Sequence, residues 1–70
     1  MSEVTVSAEL RMAHDMARQF ADEPVAEAGE RIAAHIRKFW APPMIDSLVA
    51  EVGRGAEADP AVVEAVRVLG

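Results

Sequence analysis

Apolar side chains recur along this chain at three- and four-residue intervals in four runs, the spacing that lines one face of an α-helix. In the first run, Leu10, Ala13, Ala17 and Phe20 follow Ser7, whose hydroxyl suits an N-cap, and Glu9 puts negative charge in the first turn. This predicts a helix from about Ala8 to Ala21. Pro24 suits the first turn of a second helix, along which Val25, Ile32, Ala33, Ile36, Phe39 and Trp40 form an apolar stripe. Glu27 and Glu30 sit near its positive end, and Arg37 and Lys38 near its negative end. Pro42-Pro43 stops that helix, because neither residue has an amide to donate, and the same pair can open a third. Met44, Ile45, Leu48, Val49 and Val52 carry the third pattern up to Gly53 and Gly55, which supply a permissive stop. Asp59-Pro60, an N-cap followed by a first-turn proline, begins a last helix bearing Val62, Val63, Val66 and Leu69. The expected fold is all-α, a small bundle of three to four short helices, with residues 7–70 as a single helical domain. Val4-Thr5-Val6 is too short and isolated to find a pairing strand, so residues 1–6 are expected to be a flexible leader.

Composition makes stability the first problem. Of the 70 residues 51% are hydrophobic, but most of that share is Ala and Val, with three Leu, three Ile, two Phe and one Trp to supply bulk. Burial contributes about 25 cal/mol per Å² and ordering each residue costs about 1.5 kcal/mol, so the two sums nearly cancel at this size. The chain has no cysteine, which removes disulfides, thiolate zinc sites, iron-sulfur ligation and cysteine nucleophiles, and suits a reducing cytoplasm. Met1 to Val6 includes Glu3 and lacks the basic start and apolar stretch of a signal peptide. No apolar run approaches the roughly 20 residues that span a bilayer. The expectation is a cytoplasmic protein that does not enter the membrane. A net charge of −5 has the wrong sign for gripping phosphate backbones, so nucleic acid is not an expected partner. Oligomerisation or a larger protein partner is left as the leading source of additional stability, and a homodimer is a form open to the isolated chain.

Candidate chemistry is sparse. His14 and His35 lie on different expected helices, and neither has a second ligand at the i+3 or i+4 spacing that sets two donors on one face. Asp22, Glu23, Glu27 and Glu30 cluster around a helix start, where carboxylates meet the positive end of the dipole. Gly53-Arg54-Gly55 follows a helix rather than joining a strand to one, so it lacks the setting of a phosphate loop. No catalytic, metal or cofactor residue is therefore expected. Met12, Met16 and Met44 can fill core gaps or form an adaptable contact surface. The run His35-Ile36-Arg37-Lys38-Phe39-Trp40 crowds cationic and aromatic side chains before two prolines. Neighbours on a helix point about 100° apart, so Phe39 and Trp40 cannot share one narrow stripe. Two readings stay open: Trp40 and Arg37 anchor a partner, or Trp40 caps the small core and Arg37 is solvated.

The same segment carries a family likeness. The chain resembles the delta subunit of soluble, NAD-dependent, molybdenum-containing formate dehydrogenases from about Arg11 to Leu69. Arg11-Met12-Ala13 and Phe20 match an early Met-Ala and a helix ending near a Phe, and His35 to Trp40, Pro42 and Met44 match a His-Ile-Arg-basic-Phe-Trp run followed by Asp-Pro-Arg-Met. Gly53, Gly55, Pro60, Val62 and Ala65 are similar to the Gly-rich turn, Pro and Val-x-x-Ala that follow. The chain departs from the pattern at His14-Asp15, commonly Asn-Gln, and at Ala41-Pro42-Pro43, commonly Asp-Pro-Arg. The resemblance implies a non-catalytic accessory subunit that docks on the catalytic subunit and supports assembly or stability of the enzyme. It also implies that molybdenum cofactor, iron-sulfur clusters and flavin reside in partner subunits and none in this chain. On that reading His35, Arg37, Lys38, Phe39, Trp40, Pro42, Met44 and Met12 are the partner-binding candidates. The rival is a self-associating helical adaptor or an assembly chaperone that the mature enzyme does not retain.

Overall fold

In the computed structural model, which describes residues 7–70, four α-helices follow one another: α1 Ala8–Gln19, α2 Val25–Phe39, α3 Pro42–Gly53 and α4 Pro60–Leu69. There is no strand among the described residues, and the fold is all-α. The leader expected over residues 1–6 lies outside them. α1 begins where Ser7 Oγ accepts the Leu10 amide at 3.0 Å, and the same hydroxyl donates to Glu51 Oε1 at 2.5 Å, tying the start of α1 to the end of α3. α1 stops two residues short of the expected Ala21 because its last turn tightens, the Phe20 amide donating to Ala17 O at 3.1 Å.

Ala41 precedes a proline and adopts extended backbone, which separates α2 from α3. It offers no capping side chain, but Pro42 and Pro43 have no amides to cap, and the Met44 amide reaches Ala41 O at 2.9 Å. At the other end of α3 the positive φ falls at Gly55 (96°) and not at Gly53, which is still helical. Gly55 donates to Val52 O at 3.0 Å and Ala56 to Glu51 O at 3.3 Å, the paired bonds of a Schellman stop. Asp59 Oδ1 then accepts the Ala61 amide at 2.9 Å and opens α4.

The most extensive packing joins α2 and α4. Val25 and Ala28 near the start of α2 share a surface depression with Pro60 and Ala61, Gly29 abuts Glu64 and Ala65, and Arg37 reaches Val68 O. The two helices therefore run side by side in one direction, and α3 carries the chain back between them. Among the described residues, half of the twelve buried apolar side chains are alanines, and the largest fully buried ones are Ile32, Ile36, Leu48 and Val62. Such a core gains contact through close helix approach rather than through bulk. Gly29 shows how close: a Cβ there would lie 2.7 Å from Glu64 Cβ and 3.1 Å from the Ala65 amide nitrogen. With its stem on Gly29, Glu64 turns its carboxylate to Arg67, at 2.5 and 3.1 Å, and that pairing holds the carboxyl below its usual range.

Candidate functional site

The segment singled out in the sequence straddles the end of α2, and the break of the helix there sorts its two aromatic rings. Phe39 is the last helical residue and is 66% exposed. Trp40 leaves the helix with extended backbone (φ −97°, ψ 143°), its amide still donating to Ile36 O at 2.8 Å, and its half-buried indole packs against the core. The outward ring is thus Phe39. It is not loose: His35, one turn earlier, lies with its ring centroid 4.6 Å away at a 42° tilt, and Lys38 Nζ stands 5.7 Å from the ring centroid. These are the geometries in which a ring pair and a cation over a π-face attract each other, which biases the phenyl group toward this conformer.

Arg37 has a different task. Its guanidinium donates to Val68 O at 2.8 Å, one of the carbonyls that the last turn of α4 leaves without an intrahelical partner. The bond joins the C-terminal ends of α2 and α4, and the cation meets the negative end of a second helix dipole. Of the other candidates, Pro42 is exposed at the start of α3, Met44 is half-buried beside it, and Met12 is 38% exposed on α1. Met16 packs against the core. The structure therefore brings His35, Lys38 and Phe39 together as one outward cluster, whereas Arg37 and Trp40 are engaged within the chain.

The electrostatics of this end differ from the rest of the molecule. From Arg31 to Ile45 there is no Asp or Glu, although the chain as a whole carries −5. Arg31 pairs with Glu23 across the α1–α2 turn at 2.8 Å. Arg18 pairs with Asp15 and Arg67 with Glu64, each within its own helix. Lys38 stands over the Phe39 ring.

Other chemistry is structural where the geometry is defined. His14 Nε2 accepts the Asp59 amide at 3.2 Å, so this imidazole steadies the loop that enters α4. Among the described residues no group of three or more His, Cys, Asp or Glu side chains converges in a way that would hold a metal. A depression of about 290 Å³ lies where the end of α1 meets the starts of α2 and α4. Phe20, Val25 and Ala28 line it together with Arg18, Glu23 and Asp59, and it opens to solvent. No helix among the described residues is long and apolar enough to cross a membrane.

Reading the pattern alone missed Gly29, the Ser7–Glu51 tie and the Arg37–Val68 tie. A glycine inside a strong apolar pattern was the available signal for the first. The two ties join residues 44 and 31 positions apart, and no local pattern announces them. Compared with protein-family models, residues 10–66 match the family described as NADH-dependent formate dehydrogenase delta subunit FdsD. No curated protein and no solved structure gives a significant match.

Proposed function

The chain belongs to the NADH-dependent formate dehydrogenase delta subunit family, and from that premise we propose that it is a non-catalytic accessory subunit that docks on the catalytic subunit of a soluble, cytoplasmic enzyme. Docking supports assembly or persistence of the cofactor-loaded complex. In this reading molybdenum cofactor, iron-sulfur clusters and flavin sit in the larger subunits, where ligands exist for them; a chain without cysteine supplies no thiolate to a cluster. The observation that carries the reading is the 66% exposed Phe39 ring in a chain whose buried apolar residues, among those described, include no aromatic. A chain so short of bulk leaves a ring in water at a cost unless another surface covers it.

The test is to produce the enzyme with and without this chain and to follow subunit composition, molybdenum and iron content, and the half-life of formate-dependent NAD reduction. The chain is expected at fixed stoichiometry in the active enzyme, and its omission is expected to lower metal occupancy or shorten the half-life. Equal yield, metal content and half-life without it would sink the proposal. A requirement during assembly, together with absence from the active enzyme, would replace it with a transient assembly factor.

A further inference from the structure

We propose that Phe39 enters an apolar socket rimmed by carboxylates on a larger polypeptide of the same complex, with Lys38 and His35 facing the rim. This rests on the docking reading above and deepens it by naming the chemistry of the surface that receives the chain.

Three observations converge on the cluster. The ring projects from the last turn of α2 and is 66% exposed, more than Met12, Val25 or Val63, the other large exposed apolar side chains. It is contacted by His35 and Lys38, attractions of about 0.5–1 kcal/mol at an exposed site that bias the conformer a partner meets. It also stands in the acid-free stretch from Arg31 to Ile45, inside a chain of net charge −5. Desolvated aromatic anchors near the centre of a patch, inside a polar rim that excludes water, are the usual make-up of an interface hot spot.

The sign of the charge selects the occupant. A second copy docking through the same patch would form a two-fold contact, setting the Lys38 end of one protomer against the Lys38 end of the other, and like charges in an interface oppose association. A phosphate backbone would meet the same few cations but also the acidic remainder of the chain. An acidic rim on a different polypeptide satisfies the ring and the Lys38 ammonium together.

The experiment co-produces the enzyme's other subunits with two versions of the full chain, wild type and variant, distinguishable by mass. The ratio in which the two are incorporated into the purified complex is read at low and high salt. Phe39→Ala is expected to be under-represented about thirtyfold, the loss typical of removing an interface anchor. Lys38→Glu is expected to lose about tenfold, with the disadvantage shrinking as salt rises. Val63→Ala, another exposed apolar site, is expected at parity. Thermal melts of the isolated variants, expected to match wild type because Phe39 and Lys38 are exposed, separate lost docking from lost folding. Parity for Phe39→Ala, or enrichment of Lys38→Glu, overturns the inference while wild-type incorporation keeps the docking reading intact. Failure of the wild-type chain to enter any complex removes both. A dimer of the isolated chain that Phe39→Ala dissociates would assign the patch to a second copy and overturn the inference as well.

Discussion

Gly29→Ala separates the close-packed account of this fold from an account based on helix propensity alone. In a solvent-exposed helix the change is favourable by up to about 1 kcal/mol, since alanine is the best helix former and glycine among the poorest. Here the added methyl would lie 2.7 Å from Glu64 Cβ and 3.1 Å from the Ala65 nitrogen, whereas carbon atoms attract best at about 3.5–4.0 Å. Both obstructing atoms are fixed to the α4 backbone, so rotating the Glu64 side chain does not relieve the overlap. α4 has to move outward, and a gap of about 0.5–1 Å forfeits a quarter to a half of each contact across it. The contacts at stake are those between α2 and α4, whose buried residues Ile32, Ala33, Ile36, Val62, Ala65 and Val66 belong to the core. Overpacking of this kind costs about 1–3 kcal/mol, which offsets the propensity gain and leaves a net loss of up to about 2 kcal/mol. At about 4–8 °C per kcal/mol for a domain of this size, the thermal midpoint should fall by up to about 15 °C. The control is Gly53→Ala: that position is helical, nothing lies within 4 Å of its added Cβ, and the midpoint should rise. Melts of the isolated chain followed by circular dichroism compare the two directly. A rise for Gly29→Ala similar to that for Gly53→Ala would show that α2 and α4 do not meet at this glycine.

Three further outcomes follow from named contacts. Ser7→Ala removes both the α1 cap and the tie to Glu51, so it should cost at least about 1 kcal/mol and lower the melting midpoint; an unchanged midpoint would contradict the capping role. Arg37→Met keeps the aliphatic stem but loses the bond to Val68 O, so amide exchange in the last turn of α4 should speed up with a stability loss of about 0.5–1.5 kcal/mol; unaltered exchange there would reassign Arg37 to solvent or to a partner. Arg67 holds the folded-state Glu64 carboxyl below its ordinary 4.5, so the pair's contribution is present above that value and is lost as pH falls through the lower folded one. The midpoint difference between wild type and Glu64→Gln should accordingly shrink on acidification below about pH 4.5, and a constant difference from pH 7 to 3 would refute the pairing.

The elements were legible because their ends carry strong local chemistry. Ser7 and Asp59 are caps whose bonds form as the residue types imply, and Pro42-Pro43 both ends α2 and opens α3. The apolar spacing places Phe20 within the last turn of a helix ending near Ala21, and the structure makes it the C-cap, since the spacing continues beyond the last α-helical residue, Gln19. The candidate segment was legible as a segment, yet its internal roles were not. Adjacent residues at a helix terminus escape helical-wheel reasoning once the second leaves the helix, and the extended backbone of Trp40 turns its indole to the core, leaving Phe39 outside. Arg37 looked like an anchor or a solvated cation; its acceptor belongs to a helix 31 residues further on, at a distance set by how tightly α2 and α4 pack. That packing depends on Gly29, which in a propensity reading counts only as a weak point.

The most direct measurement is the native mass of formate dehydrogenase purified through a tag on this chain, read alongside its formate-dependent activity. A single species containing this chain and the larger subunits in constant ratio, with the activity in the same peak, is the predicted result. Recovery of the chain alone or as a homodimer, with the activity elsewhere, would contradict it.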